Sequence, residues 1–325
     1  MKQENTSVVL AERPTDGIIP GQTFKEKKTA VPSPADLKQG EILVEVLYLS
    51  LEPAMRGWLS DARSYLPPVE IGAVMRGFTA ARVLASKSKR ASPGDLVSAL
   101  SGWTEYAVLG EQEFEPASAY PGLNPREPQD ILSVLGLTGA TAWWGMTQIG
   151  DPKPGDLVVV SGAAGATGSV AGQIAKIKGA TVAADFKDRF KAATKNYIDV
   201  YFDNVGGEIL DMCLDRAKEH SRFVMCGAIS QYNTSNPVGP RSISRVITMR
   251  IKMQGFIVID HKERFPEIRK ELSQWLAEGK IKKTETIIKG GLAAAQQALV
   301  DLYNGSNQGK LLVQVKSPAE PALKL

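Results

Sequence analysis

The chain has 325 residues, 43% of them hydrophobic, and sets 39 Lys and Arg against 35 Asp and Glu for a formal charge of +4. That length exceeds what a single core usually carries, so two domains are expected, and the apolar content excludes a disordered or fibrous chain. The basic excess is spread thinly and no apolar run is long enough to span a membrane, so neither nucleic acid nor a bilayer is an expected partner.

The start, Met1 to Ser7, is polar and lacks the apolar stretch of a secretory signal, so a cytoplasmic protein is expected. From Val8 to about Pro125 the pattern is β-rich: short apolar runs such as Ile42 to Leu47 and Asp95 to Leu100 are separated by Gly and Pro. This reads as a mainly antiparallel, barrel-like domain. Pro93-Gly94-Asp95 is a turn in which Pro presets one backbone angle and Gly tolerates the next. Its second copy, Pro154-Gly155-Asp156, precedes Leu157-Val158-Val159-Val160-Ser161, a continuous apolar run typical of a strand buried on both faces.

After that strand come Gly162, Ala163, Ala164, Gly165, Ala166, Thr167 and Gly168, and then a helix-period segment, Val170 to Lys178. The later part of the turn is A-x-G-x-x-G, a variant of the dinucleotide fingerprint. Gly165 lets backbone approach a pyrophosphate, Gly168 lets the helix pack on the strand, and the helix N-terminus offers unpaired amides to an anion. A tight strand-to-helix turn without nucleotide is the alternative, and the strand before and helix after favour the cofactor.

Helix and strand then alternate. Phe186 to Thr194 reads as helix, Ile198 to Asp203 as strand, Glu208 to Glu219 as helix and Arg222 to Cys226 as strand. Ile251 to Ile259 follows as strand and Phe265 to Glu278 as helix, with Gly279 as its cap. The pattern from about Asp130 to Gly290 is a doubly wound α/β sheet. A helix, Leu292 to Tyr303, and a last strand, Lys310 to Val315, end the chain.

Cys213, His220, Cys226 and His261 are the whole stock of Cys and His. A zinc site built on three or four such ligands is not expected, nor is a disulfide framework. No G-x-S-x-G elbow occurs, which leaves nucleophilic acyl transfer unsupported.

The Gly162 to Gly168 turn with Gln173, Tyr201-Phe202-Asp203-Asn204-Val205-Gly206-Gly207, Lys252-Met253-Gln254-Gly255-Phe256 and Asn304 to Lys310 carry a resemblance. With Met75-Arg76-Gly77, they make the chain similar to zinc-independent medium-chain dehydrogenases/reductases. The branch is that of leukotriene B4 dehydrogenase, prostaglandin reductase and the NADPH-dependent alkenal, curcumin and double-bond reductases. The resemblance implies a GroES-like β-barrel catalytic domain over residues 1–126, completed by 291–325, and a Rossmann domain over 127–290. It implies hydride transfer from NADPH to the β-carbon of an α,β-unsaturated ketone or aldehyde, in a cleft between the two. Such chemistry needs positioning and a donor near the enolate oxygen more than a strong acid or base.

Residue by residue, the resemblance places Gly162 to Gly168 on the pyrophosphate and Asn204, Val205, Phe256, Ile257, Val258 and Asn307 around the nicotinamide, with Cys226 and Gly227 also binding the cofactor. Tyr232 matches a tyrosine that reaches cofactor and substrate, and is the candidate catalytic residue. Arg56, Tyr65, Met75 and Arg76 are the candidate substrate pocket. Each has a structural alternative: Asn204 as a turn residue, Tyr232 as a rim aromatic, Asn307 in a hairpin, Arg56 and Arg76 as surface charges. Trp58, Tyr65 and Trp103 line a pocket or fill the barrel, and packing is the favoured reading for any one of them. A homodimer paired through the strand Arg250 to Val258 is also implied.

Two departures stand out. Ala54 occupies a position in Glu52-Pro53-Ala54-Met55-Arg56 where many relatives carry Tyr. In addition, Ala180-Thr181-Val182 runs almost directly into Asp185, omitting about two dozen residues that hold the third strand and the loop selecting the 2′-phosphate. Asp185 follows Gly165 by 20 residues, the place where an acidic residue grips the ribose of NAD, but it matches a later helix in relatives. The loss leaves the second strand as the sheet edge. Quinone reduction by a related zinc-free branch, or a cofactor-impaired homologue acting as a scaffold, are the competing readings.

Overall fold

The computed structural model describes residues 4–183 and 189–323. Asp185 and the first residues of the helix expected from Phe186 lie outside them. Two compact units emerge, residues 1–132 with 285–325, and residues 133–284.

The first unit opens with an antiparallel pair, β1 (Glu4–Leu10) and β2 (Phe24–Ala30). Strand β3 (Ile42–Ser50), the short helix α1 (Met55–Trp58) and strands β4 (Thr79–Ser86), β5 (Leu96–Ala99), β6 (Tyr106–Leu109) and β7 (Phe114–Pro116) follow. Strand β4 pairs along β3, and β6 pairs with the same Ile42–Glu45 half from the other edge. This two-sided cover buries every residue of β3, Glu45 included, which is matched by Arg82 at 2.6 Å.

The second unit begins with α2 (Leu137–Trp144), which runs into a π-helical turn, Gly145–Gly150. There follow β8 (Leu157–Val160), α3 (Ala166–Ile177), β9 (Thr181–Ala183), α4 (Phe190–Ala193), β10 (Ile198–Asp203), α5 (Gly207–Asp215), β11 (Ala217–Met225), α6 (Arg245–Thr248), β12 (Lys252–Gly255) and α7 (Phe265–Ala277). The chain then re-enters the first unit through β13 (Glu285–Ile288), α8 (Ala295–Tyr303) and β14 (Lys310–Gln314). Strand β14 pairs with both β13 and β3, so the C-terminal segment completes the seven-stranded sheet.

The five strands of the second unit lie in the order β12-β11-β10-β8-β9, all parallel. Val158, Val159 and Val160 are buried at the centre, as their unbroken apolar run predicts. Helix α3 covers them with Val170, Ala171, Ile174 and Ala175, spaced three and four apart so that they share one face. The Pro154-Gly155-Asp156 turn closes by an Asp156 N–H to Lys153 C=O bond of 3.0 Å. Among the described residues β9 is the edge of the sheet, the position expected once the third strand is lost.

Four boundaries differ from expectation. Helix α3 starts at Ala166, four residues before the expected Val170, so Ala166, Thr167 and Gly168 form its first turn behind the Gly165 cap. The helix expected over 208–219 ends at Asp215, because Ala217 is taken into β11 opposite Ile198. The polar Lys218, Glu219 and His220 bulge out between two stretches of pairing, with His220 at φ 61°. The strand expected over 251–259 stops at Gly255, whose partner Met225 is the last residue of β11; beyond it nothing remains to pair with, and Val258–Arg264 coils into a 3-10 turn. The helix expected from Leu292 starts as a 3-10 turn, Gly291–Ala294, before α8.

Candidate cofactor site

Because the strands are parallel, their carboxyl ends share one edge. Strand β8 leads into Gly162 to Gly168, β10 into Asn204 and Val205, β11 into Cys226 and Gly227, and β12 into Phe256, Ile257 and Val258. Four separate stretches of sequence thus meet at the carboxyl edge of four adjacent strands. The chain leaves β8 for β9 on one side and later returns to β10 on the other, which makes β8 and β10 the switch point where open α/β sheets bind ligands.

The Gly-rich turn has a definite shape. Gly162 takes φ 60°, Gly165 N–H bonds back to Gly162 C=O at 2.9 Å, and Gly165 caps α3 in extended conformation. Gly168 is buried under the same carbonyl, where any side chain would collide. The 12-residue helix behind it presents first-turn amides and the positive end of its dipole to this edge. Gly162 and Ala164 are exposed, so the cradle is open to an anion.

Asn204 and Val205 pack beside it. A Cβ on Gly162 would lie 3.6 Å from Asn204 Cβ and from Val205 Cγ2. Ser161 joins the two loops: its Oγ accepts Asn204 N–H at 2.8 Å, and its carbonyl accepts Asn204 Nδ2–H at 2.8 Å. The same Ser161 hydroxyl donates to Asp203 Oδ1 at 2.9 Å. Asp203 lies within the Tyr201–Gly207 motif and Ser161 ends the β8 run, yet neither is among the candidate site residues expected from the sequence. The signal available was a polar residue directly after the apolar run Val158–Val160 and another directly after Val200–Phe202.

Cys226 and Gly227 hang from Asp203, whose backbone carbonyl accepts both of their N–H groups at 2.9 Å. Burial first, and the negative charge of Asp203 second, push the Cys226 thiol up to about 12. Burial likewise pushes the Cys213 thiol and the Tyr201 phenol up. The Tyr232 hydroxyl accepts Ala228 N–H at 3.1 Å, and a Cβ on Gly227 would meet that oxygen at 3.1 Å. Tyr232 is therefore folded back onto the Cys226–Ala228 loop. Phe256 reaches the π-helical turn, where only the bare backbone of Gly145 leaves room for its ring.

The remaining candidates lie in the first unit. Arg56 is buried and donates to the carbonyls of Pro14, Thr15 and Asp16, clamping that loop with its guanidinium. Met75 is fully buried in the unit's core with Trp58 and Trp103. Trp103 stacks on Phe24 with ring centroids 5.3 Å apart, as a packing residue. Tyr65, by contrast, is 46% exposed and accepts Trp58 Nε1–H at 3.2 Å, while the Arg76 guanidinium lies 5.5 Å over the Trp58 ring. Burial raises the Tyr65 phenol and lowers the Arg76 guanidinium. Asn307 donates to Gly309 C=O at 2.8 Å, a bond within its own loop.

Two family models match the chain, one described as the N-terminal domain of oxidoreductase over residues 6–117 and one as zinc-binding dehydrogenase over residues 181–274. The NADPH-dependent curcumin reductase of Escherichia coli is 36% identical over 346 positions, covering 97% of this chain and 98% of that protein. The chain belongs to the zinc-independent medium-chain dehydrogenases/reductases. The NADP(+)-dependent 2-alkenal reductase of Nicotiana tabacum is 33% identical, with 85% of this chain and 87% of that protein covered. The crystal structure of CurA from Vibrio vulnificus in complex with NADPH superposes with a TM-score of 0.87 at 38% identity, covering 96% of this chain and 100% of that one.

As a medium-chain dehydrogenase/reductase, this chain is an oxidoreductase with a barrel-like domain and a Rossmann sheet. Among its described residues, no three of His, Cys, Asp or Glu come together to hold a metal, and no helix is long and apolar enough to cross a membrane. The 346 aligned positions exceed the 325 residues here, so the E. coli relative carries residues with no counterpart in this medium-chain reductase.

Proposed function

We propose that this protein is an NADPH-dependent reductase of the carbon-carbon double bond of α,β-unsaturated ketones and aldehydes. The observation that carries the reading is the Ser161 junction, which fastens the Gly162–Gly168 cradle to Asn204 and Val205 at the switch point of the sheet. Its support comes from relatives whose names specify NADPH, curcumin and 2-alkenals.

The residues fit the nucleotide. Gly165 and Gly168 keep side chains out of the cradle, and the first-turn amides of α3 take the pyrophosphate. Asn204, Val205, Cys226, Gly227 and Phe256 to Val258 border the nicotinamide end, since they leave the neighbouring strands. When bound, NADPH supplies the hydride that reaches the substrate β-carbon. Hydride arrival leaves an enolate whose oxygen Tyr232 meets with its hydroxyl and whose α-carbon takes a proton from solvent; Tyr65 and Arg76 remain the candidate substrate contacts of the first unit. Neither task needs a strong acid, in keeping with a chain that has two histidines.

The test is to mix the protein with NADPH and a panel of enones, enals and quinones and follow the nicotinamide absorbance. Loss of absorbance with enones, giving products two hydrogens heavier, supports the reading. No turnover of any enone overturns it, and consumption of quinones alone moves the protein to the quinone-reducing branch.

For assembly we propose a homodimer formed through β12, whose outer edge is unpaired among the described residues and whose Lys252, Gln254 and Gly255 are exposed. Sedimentation equilibrium at micromolar concentration should give twice the chain mass. A monomer mass overturns the proposal.

A further inference from the structure

We infer that Asp203 is a positioning residue that holds the Asn204–Gly206 loop in register with the Gly-rich turn; the inference rests on the cofactor reading of that turn. Asp203 is completely buried at the carboxyl end of β10. Its Oδ1 accepts four hydrogen bonds, from Tyr201 OH at 2.7 Å and from Ser161 Oγ, Val205 N–H and Gly206 N–H at 2.9 Å each. Among the described residues no group bonds to Oδ2. A buried carboxylate is retained only where charge-assisted bonds offset its desolvation, and here all of them converge on one oxygen.

The donors come from different loops. Ser161 is the residue from which the Gly-rich turn starts, and Val205 and Gly206 belong to the nicotinamide-side loop. Through its carbonyl, Asp203 also receives Cys226 and Gly227. One residue therefore touches three of the four loops at the carboxyl edge. The loop it holds has little freedom to adjust: Asn204 C=O accepts Ile229 N–H, and Val205 C=O accepts Ser230 N–H and Ser230 Oγ–H. A displacement at Asp203 must then move the loop as a unit relative to the cradle. Sub-ångström placement of this kind governs how well a bound cofactor is aimed.

Three variants separate positioning from mere folding. Asp203→Asn keeps the shape and the accepting oxygen but removes the charge, Ser161→Ala removes the relay to Asn204, and Asp203→Ala removes the hub. For variants that retain native circular dichroism, we expect the Kd for NADPH to rise and kcat to fall, each by about tenfold or more in Ser161→Ala and Asp203→Ala. Asp203→Asn should lie between these and the parent, and the KM for the enone should stay within about twofold. The emission of bound NADPH, which reports the surroundings of the nicotinamide, should shift in the same order. Should Asp203→Ala not fold, the other two variants decide. Folded variants with unchanged Kd, kcat and emission overturn the inference alone. A parent protein that binds no NADPH overturns the cofactor reading and the inference with it.

Discussion

A Cβ placed on Gly168 would lie 2.3 Å from the carbonyl oxygen of Gly162. The obstacle is backbone, and Gly162 C and Ala163 Cα stand at 2.8 and 3.0 Å behind it, so no side-chain rotation relieves the clash. The start of α3 and the turn that precedes it can approach this closely only with hydrogen at Gly168. Gly168→Ala is expected to cost about 1–3 kcal/mol of stability and to weaken NADPH binding by displacing the cradle. Thermal unfolding and calorimetry with NADPH measure both; a variant equal to the parent in each contradicts the packing argument.

Cys226 should be inert in the native protein. With its thiol pushed up to about 12, the thiolate is scarce at neutral pH, and the Cys213 thiol is raised by burial as well. Iodoacetamide at pH 7.5 is expected to label neither cysteine until denaturant is added, as followed by mass spectrometry. The sign of the linkage follows. An unfolded thiol ionises near its ordinary value of 9.0 and the folded one does not, so the contribution of Cys226 to stability is constant below about pH 9 and falls between about 9 and 12. Rapid native labelling, or stability rising across that window, counts against this account.

Arg56 is a clamp. Removing its guanidinium leaves the carbonyls of Pro14, Thr15 and Asp16 without their buried donor, so Arg56→Ala should lose about 2–4 kcal/mol in urea unfolding. Arg56→Lys should recover less than half of that, because a single ammonium cannot reproduce the planar fork. Full recovery by Lys would mean that charge rather than geometry holds the loop.

Tyr65→Phe separates pocket from packing. The side chain is 46% exposed, so stability should drop by no more than about 1 kcal/mol, the worth of the bond from Trp58 Nε1–H. If Tyr65 and Arg76 face the enone as proposed, the KM for substrate should rise severalfold with the NADPH affinity unchanged. An unchanged substrate KM removes Tyr65 from the pocket.

Local pattern was enough to find β8, β10 and α7, each close to its expected ends, and α3 apart from its first turn, Ala166–Ser169. These elements are buried on one face or on both, so apolar periodicity records them directly. It failed where pairing overrode propensity. Residues 217–219 continue a helical pattern after Asp215, yet Ala217 pairs with Ile198 and the polar residues bulge outward. Phe256 to Val258 continue a strand pattern, yet β11 ends at Met225 and offers no partner. Among the candidate site residues, the shape of the Gly-rich turn was legible because glycine is required at fixed spacing. Arg56 was not, because a guanidinium facing carbonyl oxygens and one facing a substrate look alike in sequence.

Taken alone, the amino-acid sequence determined the class of this protein: a β-rich domain, a doubly wound sheet, a Gly-rich strand-to-helix turn and too few Cys and His for a zinc site built mainly on them. These follow from periodicity, glycine spacing and the count of Cys and His, all of which are properties of the chain itself. Only the tertiary structure decided that Ser161, Asp203 and Asn204 form one junction, since 42 residues separate Ser161 from Asp203. Parallel pairing of β8 with β10 is what brings them to the same edge. Hydrogen bonds between distant residues depend on register, and register is set by how whole strands bury their faces, which no single segment encodes.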